Sequence, residues 1–99
     1  MKQIQIICDV AIDGEIRALL AECGIVEYTR FLRCAGSGHR TGAREDDHVW
    51  PGYNVATVAV VEDSVATAAM ARLQAYRDDP AHAKSGLFAW LVPVDAALK

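Results

Sequence analysis

The order strand–helix–strand occurs twice in this chain, and a long polar segment separates the two occurrences. In the first half, alternating polar and apolar residues predict a strand at Gln3–Cys8, followed by an amphipathic helix that Asp13 caps and Gly24 ends. The other predicted elements are a strand at Glu27–Cys34, a strand at Val55–Val61, a helix that Asp63 or Ser64 caps and that ends at Asp78–Pro80, and a strand at Leu87–Val92. Few folds accommodate this order, because all the elements have to pack around one core.

Two β-α-β units of this length predict an α+β domain of the ferredoxin-like βαββαβ type. Such a domain has a four-stranded antiparallel sheet with two helices on one face. The second and fourth strands are the edges of this sheet. Arg30 and Arg33, on opposite faces of the second strand, are typical of an edge, and so is Pro93 at the end of the fourth.

Three of the four predicted strands are apolar on both faces. The neighbouring residues Ile6 and Ile7 point to opposite faces, as do the pairs Val60–Val61 and Trp90–Leu91. Helices cover only one face of the sheet in this fold, so the second face needs another cover. We therefore expect self-association, with tolerated surface apolarity as the alternative.

The composition restricts the class of protein. A chain of 99 residues is typical of one domain, here residues 1–99, and a net charge of −3 gives no basic surface for nucleic acid. No segment approaches the roughly 20 apolar residues of a membrane-spanning helix, and the start lacks a signal-peptide pattern. Three cysteines without metal-ligand spacing are typical of buried thiols in a reducing compartment. The sequence thus predicts a cytoplasmic protein without membrane insertion.

The polar segment between the second and third strands, residues 36–53, is rich in glycine and in charged residues. Glycines permit positive φ and close backbone approach, so that consecutive N–H groups can bind an anion. Basic side chains among them add donors that suit phosphate. The candidate residues here are Gly36, Gly38, His39, Arg40, Gly42 and Arg44. A flexible hairpin is the alternative interpretation.

The same segment offers the ligands of a divalent-metal site. His39, Asp46, Asp47 and His48 supply nitrogen and oxygen atoms, although their spacing matches no recognised metal motif. A solvated charged loop is the alternative. His82 lies in a separate segment and is interpreted as a loop histidine.

No arrangement of residues predicts catalysis. Cys34 could serve as a nucleophile with His39 or His48 as its base, but no further residue is seen that would orient the pair. Ser37 and Ser85 lie in no G-x-S-x-G elbow. The sequence therefore predicts a protein that is not an enzyme.

The segment GSGHRTG, Gly36–Gly42, resembles the Gly-x-Gly-basic-x-x-Gly motif that begins the long loop of PII and PII-like signalling proteins. Pro93–Ala96 is similar to the end of the last strand in that family. The resemblance implies a homotrimer whose sheets face the threefold axis and a regulatory role in signal transduction. It also implies that an adenine nucleotide (ATP, ADP or AMP) or another small anionic effector binds in the clefts between subunits. The loop at 36–53, the T-loop of the family, would contact a target protein.

The resemblance also implies roles for particular residues. The loop base Gly36–Gly42 matches the nucleotide-contacting segment of the family. The connection His82–Gly86 lies where the family has a glycine-rich phosphate loop, with Lys84 and Gly86 as candidates. The loop residues expected to contact the target are Arg44, Glu45, Asp46, Asp47 and Trp50.

Several departures favour a divergent PII-like regulator over a typical nitrogen sensor. His39–Thr41 replaces the usual Arg-Gln-Lys, the loop is shorter and has no tyrosine at its tip, and Asn54 lies where a lysine is usual. The CutA cation-tolerance proteins share the trimeric architecture in outline. A CutA-like metal-binding protein that uses the four candidate metal ligands is therefore the alternative function, and a purely structural trimer is a third.

Overall fold

The computed structural model describes residues 1–38, 42–44 and 52–99. Its strands are β1 (Lys2–Asp9), β2 (Thr29–Cys34), β3 (Gly36–Gly38), β4 (Gly42–Arg44), β5 (Asn54–Val61) and β6 (Leu87–Pro93). Its helices are α1 (Asp13–Glu22) and α2 (Asp63–Asp78), with 3-10 turns at Val10–Ile12 and Pro80–His82. All the predicted strands and helices occur, with small shifts at their ends. Among the described residues, no helix is long and apolar enough to cross a bilayer.

Four strands form one antiparallel sheet in the order β2-β5-β1-β6. β2 and β6 are its edges, as the arginines of the second strand and Pro93 predicted. Central β1 places Ile6 opposite Thr57 of β5 and Ala89 of β6. This topology confirms the predicted ferredoxin-like α+β fold. β3 and β4 form a separate hairpin inside the segment that was predicted as a loop.

The sheet face beneath the helices holds the hydrophobic core. The β1 side chains on this face, Ile4, Ile6 and Cys8, are 1%, 1% and 2% exposed. The helices cover them with a stripe of buried apolar residues at helical spacing: Ile16, Leu19, Leu20, Ala66, Ala69 and Leu73. Burial of an aliphatic side chain of leucine size stabilises the fold by about 2 kcal/mol. These contacts hold both helices on one face.

Both helices begin without the side-chain caps that the sequence predicted. Asp13 is instead the first residue of α1, and its buried carboxylate forms ion pairs with Arg17, at 3.2 Å, and with Arg30 of β2. Asp63 is likewise the first residue of α2, and it pairs with the N-terminal amine of Met1 at 3.0 Å. The cap predictions were wrong because nearby cations offer these carboxylates charge-assisted bonds. At the other end of α1, the predicted stop is confirmed, since the helix ends at Glu22, and Gly24, two residues further on, has φ +84°.

The opposite face of the sheet, here called the open face, has no helix over it. Its members are Thr29 and Phe31 of β2, Ala56, Val58 and Val60 of β5, Gln3, Gln5 and Ile7 of β1, and Phe88, Trp90 and Val92 of β6. The rings of Phe88 and Trp90 contact each other with centroids 5.2 Å apart. β5 and β6 are apolar on both faces, as predicted. β1 differs from this prediction, because its open face carries two polar residues, Gln3 and Gln5, beside the apolar Ile7. Gln5 donates a hydrogen bond to Gln3 there.

Candidate functional site

β2 leaves the sheet through an irregular turn that starts the polar segment. Its register with β5 shifts between Phe31 and Cys34, and Arg33 within this shift has φ +58°. A residue with a side chain loses about 1 kcal/mol or more in this left-handed conformation. The Cys34 thiol donates to the Phe31 carbonyl at 3.3 Å across the turn. The backbone is thereby directed out of the sheet toward Gly36.

The predicted anion-binding glycines lie in the β3–β4 hairpin. Gly36 pairs with Arg44, and Gly38 pairs with Gly42. A Cβ atom at Gly36 would lie 2.9 Å from Nδ2 of Asn54, so a side chain at position 36 would require the Asn54 amide to move. Gly36 thus lies against the side chain of Asn54, and its role in binding an anion stays a prediction.

Two short stretches flank the loop and are called here its legs: residues 33–36 are the first leg and residues 52–54 are the second. The second leg enters β5. Gly52 has φ +101°, a conformation that favours glycine. The ring of Tyr53 then packs against the guanidinium of Arg33, whose Cζ lies 4.4 Å from the ring centroid. The two legs of the segment thus touch twice, at Arg33–Tyr53 and at Gly36–Asn54.

The end of β1 connects this second leg to the segment before β6. The Val10 N–H donates to the Tyr53 carbonyl at 3.1 Å, and the Asp9 N–H donates to the Gly86 carbonyl at 2.8 Å. Sequence reasoning missed Asp9 and Val10. The sequence feature that could have identified them is the position of Asp9 directly after the predicted apolar strand Gln3–Cys8. Residues that flank strands at the same end of a sheet lie close together.

The connection between α2 and β6 is held by its own hydrogen bonds. Asp79 accepts from the Ala81 N–H at 2.9 Å, and the Ser85 N–H donates to the His82 carbonyl at 3.0 Å. The His82 ring stacks on Tyr76 with centroids 3.8 Å apart, so this histidine is a packed residue rather than a loose loop residue. Lys84 is exposed in the same connection and is available to an anion.

Gly36 and Gly86 lie at the same end of the sheet but at opposite edges. Gly36 follows β2 and Gly86 precedes β6, with β5 and β1 between them. Neighbouring strands are about 4.8 Å apart, so these edges are separated by roughly 14 Å. The structure brings Gly36 to Asn54 and Gly86 to Asp9, but it does not bring Gly36 to Gly86 within one chain.

Two side chains beneath or within the helices, Cys8 and Tyr76, have pKa values raised to about 12. Burial raises the pKa of the Cys8 thiol to about 12, and the Asp13 and Asp9 carboxylates act in the same direction. Desolvation, followed by the hydrogen bond that Tyr76 donates to Glu15 at 2.7 Å, raises the pKa of Tyr76 to about 12. Both groups are neutral at physiological pH, so neither supplies an anion or a nucleophile at the candidate site.

Several predicted residues lie outside the described ranges: His39, Arg40, Glu45, Asp46, Asp47, His48 and Trp50. They include all four candidate metal ligands. Within residues 1–38, 42–44 and 52–99, no three His, Cys, Asp or Glu side chains are grouped as a metal site would require.

Two shallow grooves are present in the described part of the chain, and the predicted ligand-binding residues of that part do not line them. One, of about 150 Å³, lies between α2 and β6 and includes Arg77 and Phe88. The other, of about 280 Å³, lies beside the start of β2 and includes Tyr28 and Lys99. Neither groove contains Gly36, Lys84 or Gly86.

The topology and the hairpin between β2 and β5 define a ferredoxin-like domain with an elaborated connection between its second and third core strands. The family model of nitrogen regulatory protein P-II matches residues 1–96. The chain therefore belongs to the P-II family, whose members are regulatory signalling proteins. No curated protein sequence matches the chain.

Solved structures of PII-like proteins share the fold of this chain. One is CPII, a nitrogen regulatory PII-like protein from Thiomonas intermedia, solved with ADP, AMP and bicarbonate. It is 21% identical, with a TM-score of 0.71 over 96% of this chain and 88% of that one. A PII-like signalling protein from Thermus thermophilus is 19% identical, with a TM-score of 0.65 over 92% of this chain and 83% of that one.

Proposed function

We propose that this chain, as one domain over residues 1–99, is a PII-like regulator that binds an adenine nucleotide between neighbouring copies of a homotrimer. The observation that carries the proposal is the placement of Gly36 and Gly86 at opposite edges of one end of the sheet. In a closed ring, β2 of one copy lies beside β6 of the next. Each cleft then joins one loop base to the Lys84–Gly86 segment of a neighbour.

The open face supports the trimer. Phe31 and Phe88 are 56% and 60% exposed on a face that also carries Val58, Trp90 and Ile7. A contiguous apolar patch of this kind is typical of an interface. Packing three such faces around an axis removes them from water, while Gln3 and Gln5 satisfy each other there.

An adenine nucleotide is the proposed effector class. CPII has been solved with ADP and AMP, and it matches this chain over almost its full length. Lys84 supplies an exposed cation, and Gly36 presents backbone without a side chain at the loop base. Bicarbonate, which CPII also binds, is a second anion to test.

The loop at 36–53 is the proposed contact for a target protein, through Arg44, Glu45, Asp46, Asp47 and Trp50. The role is regulatory and not enzymatic, in keeping with the family. A cytoplasmic location agrees with three free thiols at Cys8, Cys23 and Cys34.

The first test is a thermal-shift and calorimetry series with ADP, AMP, ATP, bicarbonate, zinc and copper. A nucleotide that binds only the folded state raises Tm by mass action. We expect a rise of several degrees with ADP at concentrations far above Kd. A rise with a cation alone would support the CutA-like metal-binding alternative through His39, Asp46, Asp47 and His48. No response to any ligand would contradict nucleotide binding.

A subunit-mixing experiment tests the location of the site. Gly36→Val damages the loop base, and Lys84→Glu damages the opposite segment, so each variant alone should lose ADP binding. After the two are unfolded and refolded together, random assembly places an intact loop base beside an intact Lys84 segment in about one cleft in four. Recovery of ADP binding at that level supports a site between copies. A mixture as inactive as its components would contradict it.

A further inference from the structure

Arg33 has a backbone conformation that its residue type disfavours. It lies in the register shift between Phe31 and Cys34 with φ +58°, where glycine would be the least strained residue. Such strain persists only where surrounding contacts compensate for it, and it is frequent at functional sites. The contact that the Arg33 side chain makes therefore matters.

The Arg33 guanidinium packs on the ring of Tyr53 in the other leg of the polar segment. The distance of 4.4 Å from Cζ to the ring centroid is within the range of a favourable cation–π contact. Tyr53 is itself fixed, since its carbonyl accepts from the Val10 N–H at 3.1 Å. The contact thus connects the exit of β2 to the end of β1.

A second contact between the legs lies beside the first. Gly36 approaches Asn54 so closely that a Cβ would lie 2.9 Å from the amide nitrogen. Arg33 and Gly36 are three positions apart in one leg, and Tyr53 and Asn54 are adjacent in the other. The Arg33–Tyr53 contact is therefore placed to influence the spacing at which Gly36 faces Asn54.

We propose that Arg33 is a positioning residue that uses Tyr53 to hold the loop base in its ligand-binding geometry. The inference deepens the proposed function and rests on it where ligand affinity is concerned. A glycine at position 33 would relieve the backbone but lose the contact, which explains why an arginine is tolerated with a positive φ. The Tyr53 ring, rather than its hydroxyl, is the partner.

The test compares ADP affinity, measured by calorimetry, for disruptive and conservative variants. We expect Arg33→Gly and Tyr53→Leu each to weaken ADP binding about fivefold, the effect of one partly exposed cation–π contact. The double variant should lose less affinity than the sum of the two single losses, because both remove the same contact. Arg33→Lys and Tyr53→Phe keep a cation and a ring, so they should restore most of the affinity. Additive losses, or failure of the conservative variants to restore binding, would overturn the inference.

Hydrogen–deuterium exchange separates this inference from the proposed function. If the unmodified protein does not bind ADP, the nucleotide proposal fails, but Arg33 can still be tested without ligand. Arg33→Gly should then increase exchange about fivefold at the amides of residues 35, 36 and 54, while the amides of α1 stay unchanged. Unchanged exchange in both legs would show that Arg33 does not position the loop base.

Discussion

The two faces of the sheet are built from the same strands, yet they differ in how much apolar surface they expose to water. Ile6 on the helix-covered face is 1% exposed, whereas Phe88 on the open face is 60% exposed. The chain supplies its own cover for one face and none for the other. The covered face encodes the fold of one copy, whereas the open face is left for the proposed contacts between copies.

The largest expected effect comes from a charge on the open face. Ile7→Glu places a carboxylate on the central strand β1, between Ala56 and Phe88, where the proposed trimer excludes water. Burying an unpaired carboxylate costs several kcal/mol for each copy. We expect a folded monomer with a mass near 10.7 kDa in light scattering.

The matched control is Ala68→Glu, which adds the same charge at an exposed position of α2. It should leave the trimer intact, because the carboxylate stays in water. If Ile7→Glu remains a trimer of normal stability, the open face does not form the interface.

Truncation of two neighbouring isoleucines separates the faces more finely. Ile6→Ala leaves a cavity under the helices and should lower the free energy of unfolding by about 3 kcal/mol at any protein concentration. Ile7→Ala removes the same atoms from the open face, so its cost should depend on concentration through the trimer. Urea unfolding at several protein concentrations measures both. Equal, concentration-independent losses would contradict the assignment of the two faces.

The ion pairs of Asp13 anchor edge strand β2 to the covered side. Oδ2 of Asp13 meets Arg30 and Arg17, while Oδ1 of Asp13 and Nε of Arg30 make no hydrogen bond among the described residues. Asp13→Asn should lower the free energy of unfolding by about 2 kcal/mol, because it leaves Arg30 partly buried without its counter-charge.

Asp63→Asn is the control for Asp13→Asn, since the Asp63 side chain is 67% exposed in its ion pair with the N-terminus. Chemical denaturation should show almost no change for Asp63→Asn. Equal effects of the two substitutions would mean that burial of the Asp13 pair is unimportant.

Hydrophobic periodicity made the covered part of the fold predictable from sequence. The strand patterns around Ile6 and the helical spacing of Ile16, Leu19 and Leu20 identified both layers, and the arginines of β2 identified an edge. Residue-level roles at the helix starts were not predictable, because Asp13 as a cap and Asp13 as the partner of Arg30 look the same in a sequence.

The candidate site was predictable only in part. Glycine content identified Gly36, but its actual constraint, the approach to Asn54, depends on how two distant segments pair. The contact between Arg33 and Tyr53 was missed for the same reason, since a positive φ at an arginine has no local sequence signal. The placement of Gly36 and Gly86 at opposite edges of the sheet follows from the strand order, so it could be predicted from the ferredoxin-like topology alone.

The smallest expected effect is the pH dependence that the covered face gives to Cys8. Burial raises the pKa of this thiol from 9.0 to about 12, so above pH 9 the unfolded chain releases a proton that the folded chain keeps. Its contribution to stability is therefore full below pH 9 and is lost as pH rises toward 12. At pH 10 the loss is roughly 1–2 kcal/mol. Cys8→Ala removes this term while all other groups titrate as before, so the difference between the two proteins in urea unfolding from pH 8 to pH 10 isolates it. A constant difference over that range would mean that Cys8 is not shielded from water, and that the covered face is less closed than its burial indicates.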